Sequence, residues 1–283
     1  MEVYTWRVRE GEKDARLQSY VEKALPLLPG RYVRQAFEKR DVKVDGVRAR
    51  AQDAVIPGSV ISVYTPYAPE IPIAYEDDRV LVIVKPAGLC VEDENAGMTV
   101  LSLMEKRAKG EYRPRLCHRL DTQTCGLLVL CKDDESEEAL TKAFRERTLK
   151  KEYECLVRGE MRPPKAVCSA FLVKNAALAR VRIVSHETPG SKPITTGYEV
   201  IGREGELSRL RVDLITGRTH QIRAHMAYLA HPLLGDDLYG DRTLNRHLKA
   251  NGLKLCAVRL EMLSLNAPLD YLNGKVFEIA APF

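Results

Sequence analysis

The chain has 283 residues, 45% of them hydrophobic, which is enough for one or two domains with a buried core. Its net charge of +5 permits an acidic partner without requiring one. The apolar run GLLVLC is far too short to span a membrane, and MEVYTWRVREGEKD lacks the pattern of a secretory signal. Seven cysteines without a C-x-x-C pair argue against a disulfide framework and a compact zinc site, so we expect a reducing, cytoplasmic location.

Residues 1–67 are predicted to form a small α/β unit of their own. ARLQSYVEKAL carries a helical apolar stripe from Leu17 to Leu25, and RYVRQAFEK predicts a second helix. VKVDGVRA predicts a hairpin around an Asp-Gly turn, and GSVISVY predicts one more strand. The proline-rich stretch TPYAPEIP resembles a linker, which leaves 68–283 as the second domain.

The segment 31–50 is basic, with seven lysines or arginines and three acids, a charge of +4 (7 − 3). A basic helix followed by a basic hairpin is suited to track a phosphate backbone. A solvated surface explains the same charges about as well. The candidate RNA-binding residues are Arg31, Arg34, Lys39, Arg40 and Lys43.

Residues 68–283 alternate strands and helices without a simple βαβ rhythm. Strands are predicted for RVLVIVKP, GLLVLCK, KKEYECLVRG, SRLRVDLITG and LKLCAVRLEML. Helices are predicted for GMTVLSLMEKRAKG, for DDESEEALTKAFRERTL and for THQIRAHMAYLAH, the last opened by a cap at Thr219. The pattern predicts an α+β fold, with a catalytic domain on a mixed, largely antiparallel sheet flanked by helices.

An acid stands at a junction in HRLDTQTCGLLVL, where Asp121 lies between a predicted loop and an apolar strand, a place from which side chains often face a cleft. A carboxylate there can be a nucleophile, a base or a structural cap, and a nearby cation would keep it charged. Arg119 is close in sequence, and Arg218 and Arg223 follow in TGRTHQIRAH. On the predicted helix His220 and Arg223 share a face, and an arginine there would clamp Asp121 by two parallel hydrogen bonds. From spacing alone, a structural ion pair is the simpler interpretation of these residues.

Four stretches, in this order along the chain, resemble the RluA family of pseudouridine synthases. YEDDRVLVIVKPAGL is similar to the strand that enters the family's catalytic domain, and HRLDTQTCGLLVL to its catalytic motif H-R-L-D-x-x-T-S-G. KKEYECLVRG resembles the tyrosine-bearing strand, and TGRTHQIRAHMAYLAHPLLGDDLYG the later signature. Residues 1–67 resemble an S4 RNA-binding domain, which many members carry. One departure is Cys125, which stands where the family usually has serine.

The resemblance implies that uridine in RNA is isomerised to pseudouridine. The base leaves C1′ through N1, turns, and rejoins through C5, so no cofactor and no metal are expected. Asp121 would be the essential carboxylate, as nucleophile or as base, and Arg223 its charged partner. Tyr153 would pack on the flipped uracil and help to remove the C5 proton. Arg119 would enter the stack in place of the flipped base.

The remaining candidates for substrate binding are His118, Arg218 and His220, although a structural role is the simpler interpretation of both histidines. The implied partner is RNA, with ribosomal RNA favoured and transfer RNA the second choice, and we expect a monomer that does not bind membranes. A non-catalytic RNA-binding or ribosome-associated protein is the alternative function. A magnesium-dependent phosphatase is disfavoured because Gln123 replaces the second acid of D-x-D-x-T. A zinc deaminase is disfavoured because H-x-E and P-C-x-x-C are absent from the sequence.

Overall fold

A computed structural model describes residues 1–12, 16–175 and 179–283, so Ala15, with which the first predicted helix began, lies outside the described residues. The chain forms two compact units that interleave along the sequence. The first contains residues 1–72 and 88–114, and the second contains residues 73–87 and 115–283. No helix of the described segments has the length and apolar character needed to cross a lipid bilayer.

The first unit is built on a small antiparallel sheet with the strand order β1-β4-β2-β3. Its strands are β1 Glu2–Arg7, β2 Val42–Val44, β3 Val47–Arg48 and β4 Val60–Thr65; its helices are α1 Leu17–Ala24, α2 Gly30–Glu38 and α3 Val100–Ala108. Asp45 and Gly46 both have positive φ, as the predicted two-residue hairpin turn requires. Trp6 packs against Gly97, where an added Cβ would lie 2.9 Å from the indole ring. The 88–114 segment is therefore part of this unit's core.

The second unit is built on one large mixed sheet. Its strands are β5 Ile73–Glu76, β6 Val80–Lys85, β7 Arg115–Leu116, β8 Cys125–Cys131, β9 Leu149–Arg158, β10 Lys165–Asn175, β11 Arg180–Val184, β12 Lys192–Glu204, β13 Leu207–Asp213, β14 Leu255–Met262 and β15 Val276–Glu278. The main order is β11-β10-β12-β13-β9-β14-β8-β6-β5, with β15 on β14 and β7 on β8. Among the described residues only the β8–β14 pairing is parallel, so the prediction of a mixed, largely antiparallel sheet is confirmed.

Three helices, α4 Asp134–Glu146, α5 Gln221–Tyr228 and α6 Arg242–His247, accompany this sheet. Helix α4 begins where predicted, because the Asp133 carboxylate caps it by accepting a hydrogen bond from the Ser136 amide at 2.8 Å. Its apolar residues Leu140 and Ala143 join the core cluster that includes Val129 on β8. Strand β8 is buried at every position, as expected for a strand covered on both faces.

The centre of the sheet fixes where the catalytic motif lies. Ala257 on β14 is in register with Tyr153 on β9 at one side and with Gly126 on β8 at the other. At Gly126 φ is +111°, and an added Cβ would lie 2.2 Å from the Ala257 carbonyl oxygen. Only glycine permits this approach. The three central strands therefore bring Tyr153 close to the loop that carries Asp121.

The start of α5 differs from the prediction. His220, not Thr219, is the residue before the first helical turn, and no side chain caps the helix there. His220 has a left-handed backbone with φ +52°. The Gln221 side chain instead accepts a hydrogen bond from the Arg218 amide at 3.1 Å, so the turn is held from inside the protein. The threonine cap was a wrong prediction because buried amide contacts replace it.

Candidate active site

Asp121 lies at the end of the loop before β8, beside two side chains from the start of α5. Its Oδ2 atom is 3.6 Å from Nη1 of Arg223 and 4.0 Å from Nε2 of His220. The Asp121 side chain is 25% exposed, whereas that of Arg223 is 3% exposed. An accessible carboxylate therefore faces a buried guanidinium, contributed by residues that are about a hundred positions apart in the chain.

Arg223 makes its two parallel hydrogen bonds to Asp236, not to Asp121 as predicted. The Arg223 Nε and Nη2 groups donate to the two Asp236 carboxylate oxygens at 2.7 and 2.9 Å. Asp236 also accepts hydrogen bonds from the amides of Leu238 and Tyr239, each at 2.9 Å. Burial would raise the pKa of Asp236, but the Arg223 and backbone hydrogen bonds hold it below its usual range. One face of the arginine fork is thus occupied, and Nη1 remains for Asp121.

His220 is held by Tyr239. The Nδ1 atom of His220 is 3.0 Å from the Tyr239 hydroxyl, which also accepts a hydrogen bond from the Val181 amide at 2.9 Å. Burial lowers the pKa of the His220 imidazole, while the Asp121 carboxylate acts in the opposite direction. A mainly neutral imidazole at neutral pH therefore has its Nε2 edge directed at Asp121.

Tyr153 is buried in the middle of β9, on the same side of the strand as the buried Cys155 and Val157. Burial raises the pKa of the Tyr153 phenol, and the Asp121 carboxylate raises it further. Its hydroxyl has no hydrogen-bond partner in the part of the chain that the structure describes. A protonated phenol with a free hydroxyl therefore lies within the field of the Asp121 charge.

The loop around Asp121 is anchored from β6. Lys85 is fully buried, and its ammonium donates hydrogen bonds to the carbonyl oxygens of Pro86 and Thr122 at 2.9 and 3.0 Å. Thr122 directly follows Asp121, so this lysine fixes the backbone next to the carboxylate. Cys125 donates a hydrogen bond to the Leu255 carbonyl oxygen at 3.5 Å. Cys125 thus donates a hydrogen bond from the position at which the RluA family usually has serine.

The other predicted substrate-binding residues differ in their surroundings. His118 is used internally: its Nε2 accepts a hydrogen bond from the Val129 amide at 3.1 Å, and its ring stacks on Phe144 at 4.2 Å. Burial lowers the pKa of His118 to about 3, so it is neutral at neutral pH. The Arg119 and Arg218 side chains are exposed, and neither forms an ion pair within the described segments.

The basic residues proposed for RNA binding all belong to the first unit. Arg31 and Arg34 are exposed on α2, and Lys39 and Arg40 are exposed just after it. Lys43 is partly buried on β2, with its ammonium 5.1 Å from the centre of the Tyr64 ring. The role of these five residues in RNA binding stays a prediction.

Sequence reasoning missed Asp236, Tyr239 and Lys85. HPLLGDDLYG was recognised only as the end of the later family signature, without roles for its residues, and helical spacing cannot reveal a partner 13 positions away. The sequence did contain one signal, the two adjacent acids that follow the predicted helix with Arg223. If that arginine is buried, its guanidinium needs a carboxylate partner.

Comparison with known proteins identifies the family of the chain. The sequence profile of the RNA pseudouridylate synthase family matches residues 79–228. The ribosomal large subunit pseudouridine synthase C of Vibrio cholerae is 29% identical over 94% of this chain and 89% of that protein. The protein of the same name from Vibrio vulnificus is 31% identical over 84% of this chain and 80% of its own length. The solved structure of human RNA pseudouridylate synthase domain containing 1 has a TM-score of 0.61 and 25% identity, over 78% of this chain and 86% of that one. The chain therefore belongs to the RNA pseudouridylate synthase family and is an isomerase that acts on uridine in RNA.

Proposed function

We propose that this enzyme converts specific uridines of large-subunit ribosomal RNA to pseudouridine. The observation that carries the proposal is the accessible Asp121 carboxylate, 3.6 Å from a buried arginine and beside a buried tyrosine. The names of the two Vibrio relatives favour ribosomal RNA over transfer RNA as the substrate. A non-catalytic RNA-binding protein would have no need for this arrangement.

Asp121 starts the reaction from its ionised form. The N1–C1′ bond breaks, the C5–C1′ bond forms, C5 loses a proton and N1 gains one, so the atoms balance without a cofactor. The carboxylate either attacks C1′ or removes the sugar proton that initiates elimination, and both routes need a negative charge. The Nη1 group of Arg223 supports that charge, and partial burial strengthens the attraction.

The remaining side chains receive roles in holding the substrate. We assign Tyr153 to packing on the flipped uracil, because a buried phenol with a raised pKa stays protonated in the resting enzyme and has no phenolate to accept the C5 proton. Arg119, exposed and without an ion pair in the described residues, fills the stack that the base has left. Arg218 and His220 contact the nucleotide at the rim, and His118 contributes by fixing the loop through its internal contacts.

The S4-like first unit, with Arg31, Arg34, Lys39, Arg40 and Lys43, holds RNA outside the target nucleotide in this proposal. Their exposed charges suit backbone contacts that are sensitive to salt. We further propose that the enzyme acts as a monomer in the cytoplasm. Sedimentation of the purified protein with and without RNA tests the oligomeric state.

The decisive test is pseudouridine mapping with the Asp121→Asn variant as the control. The purified wild-type protein should modify an unmodified transcript of large-subunit ribosomal RNA at one or a few positions. Asp121→Asn should bind the same RNA within about twofold and form product at least about a thousandfold more slowly, because the amide keeps the shape without the charge. Full turnover by Asp121→Asn would refute the mechanism, and modification of transfer RNA alone would refute the choice of substrate.

A further inference from the structure

Lys151 is a partly buried cation without an acidic partner in the described part of the chain. Its neighbour Lys150 points to the other side of β9 and pairs with Glu152 at 2.6 Å. Burial lowers the pKa of Lys151, and the nearby Arg147 lowers it further. A desolvated ammonium beside another cation is unfavourable unless an anion joins it.

The position of Lys151 is fixed by contacts on two sides. Its ammonium lies 5.3 Å from the centre of the Phe144 ring on α4. On the other side it approaches Gly217, where an added Cβ would lie 3.2 Å from Nζ. The Lys151 carbonyl oxygen also accepts a hydrogen bond from the Leu214 amide at 3.2 Å. The ammonium is therefore held between the end of α4 and the loop that precedes α5.

Three exposed arginines flank this position. Arg147 follows the last residue of α4, and its charge acts on Lys151. Arg218 follows Gly217, and Arg119 follows His118, whose ring stacks on Phe144 at 4.2 Å. None of these arginines makes an ion pair in the described segments. Arg147 thus acts directly on Lys151, while Arg119 and Arg218 directly follow residues that lie on the two sides of the ammonium.

We propose that Lys151 binds a backbone phosphate of the RNA next to the flipped uridine, with Arg147 and Arg218 completing the anion site. This inference rests on the proposed function, because the phosphate belongs to the substrate RNA. Lys151 precedes Tyr153 by two residues on the same side of β9, a separation of about 7 Å along the strand. A nucleotide that packs its base on Tyr153 therefore carries its backbone within reach of the ammonium. A lysine suits this task as a compact point charge with three donors.

The test compares three variants of the full-length enzyme. The first is Lys151→Met, which keeps the apolar stem against Phe144 and removes the charge. The second is Lys151→Arg, which restores the charge, and the third is Lys150→Met, which removes an equal charge from the opposite side of the strand. The probe is an RNA fragment that contains the uridine found by the mapping experiment.

We expect Lys151→Met to raise KM about tenfold with kcat within about threefold, and to reduce the slope of log K against log salt by about one. Lys151→Arg should recover most of the affinity and the slope. Lys150→Met should behave as the wild type. An uncharged methylphosphonate at the contacted position of the RNA should weaken wild-type binding, but should not weaken binding by Lys151→Met any further.

Unchanged KM and unchanged salt slope for Lys151→Met would overturn the inference, as would a lower melting temperature without any loss of RNA affinity. If Lys151→Met does not fold, a methylphosphonate scan with the wild-type enzyme still decides: no sensitive phosphate next to the target uridine would reject the site. Failure of the wild type to form pseudouridine would instead refute the proposed function, and salt slopes measured on the whole ribosomal RNA transcript would still report on the phosphate contact.

Discussion

Asp236 determines how Arg223 divides its hydrogen bonds. Its side chain has no exposed surface, and it takes the Nε and Nη2 groups of Arg223. The neighbouring Asp237 also contacts Arg223, at 3.3 Å, but is 71% exposed. The two adjacent acids therefore have the same charge and very different surroundings, which makes them a matched pair for mutagenesis.

We predict that Asp236→Asn destabilises the protein by about 3 kcal/mol, because it leaves a buried guanidinium without its main partner. Activity should fall with it, since Arg223 is no longer held toward Asp121. Asp237→Asn should change the free energy of unfolding by less than about 0.5 kcal/mol, since it removes only an exposed contact. Urea unfolding and single-turnover rates measure both effects. Equal behaviour of the two variants would contradict the positioning role of Asp236.

His225 is a second buried group with a consequence for stability. Its Nδ1 atom is 3.0 Å from the Thr196 hydroxyl, and burial lowers its pKa to about 4. In the unfolded chain a histidine has a pKa near about 6.5, so between these two values the unfolded state binds a proton that the folded state does not. The stability contribution is therefore fully present above about pH 6.5 and is lost as the pH falls toward 4.

We predict that His225→Gln flattens the pH dependence of the unfolding free energy between about pH 4.5 and 6 by up to about 1.4 kcal/mol per pH unit. The glutamine is neutral throughout, so this proton linkage is removed. His247→Gln makes the same chemical change at an exposed position on α6 and serves as the control. Identical slopes for wild type and His225→Gln would show that His225 does not titrate on unfolding.

At the scale of elements, the contact between β8 and β14 places the catalytic loop. An alanine at Gly126 would combine a φ of +111° with a Cβ 2.2 Å from backbone, so the strands would have to separate. We predict that Gly126→Ala costs about 3–5 kcal/mol of stability and most of the activity. Gly190→Ala should cost only about 1 kcal/mol, because φ there is +78° but nothing lies within 4 Å. Thermal unfolding of both variants decides whether the close approach matters.

Elements with a strong local pattern were predictable. Helices α2 and α4 and strands β6, β8 and β9 follow directly from apolar periodicity and caps. Strands β10 to β12 were not predicted, because many of their residues are exposed and polar, which weakens the apolar pattern, and β12 contains Pro193 and Gly197. Strand β1 was also missed. In each case pairing with a distant strand, rather than local preference, decides the structure.

At the scale of the molecule, the basic surface of the first unit is best tested without cutting the chain. Lys106 lies 3.7 Å over the Tyr4 ring, and the Arg9–Asp93 ion pair also joins the N-terminal segment to 88–114. Deletion of 1–67 would strip these partners away and damage folding as well as RNA binding. Substitution of exposed charges avoids that problem.

We predict that replacing Arg31, Arg34, Lys39 and Arg40 by glutamine weakens RNA binding and lowers the salt slope by about three to four, if each contacts one phosphate. The control removes four exposed charges from β10 and β12, namely Lys165, Lys174, Lys192 and Arg203. Fluorescence titrations at several salt concentrations measure both. A slope that falls equally in the two variants would reject a specific role for the first unit.

Only part of the candidate site could be predicted from the sequence. Motif order brought Asp121, Arg223 and Tyr153 together, and the structure places the first two 3.6 Å apart. The preference of Arg223 for Asp236 could not be read, because it depends on how a loop folds back over α5. The interleaving of the two units was equally invisible, since the segment 88–114 has no composition that marks it as part of the first.

That interleaving means that the polypeptide passes between the units three times, after residues 72, 87 and 114. Cleavage by a protease at any one of these three connections would leave the two units covalently joined by the other two. A cleaved enzyme should therefore still migrate as one particle under native conditions. For the same reason the N-terminal module cannot be exchanged between relatives by simple end-to-end fusion. A functional chimera would also need the donor's counterpart of the segment 88–114, which belongs to the first unit.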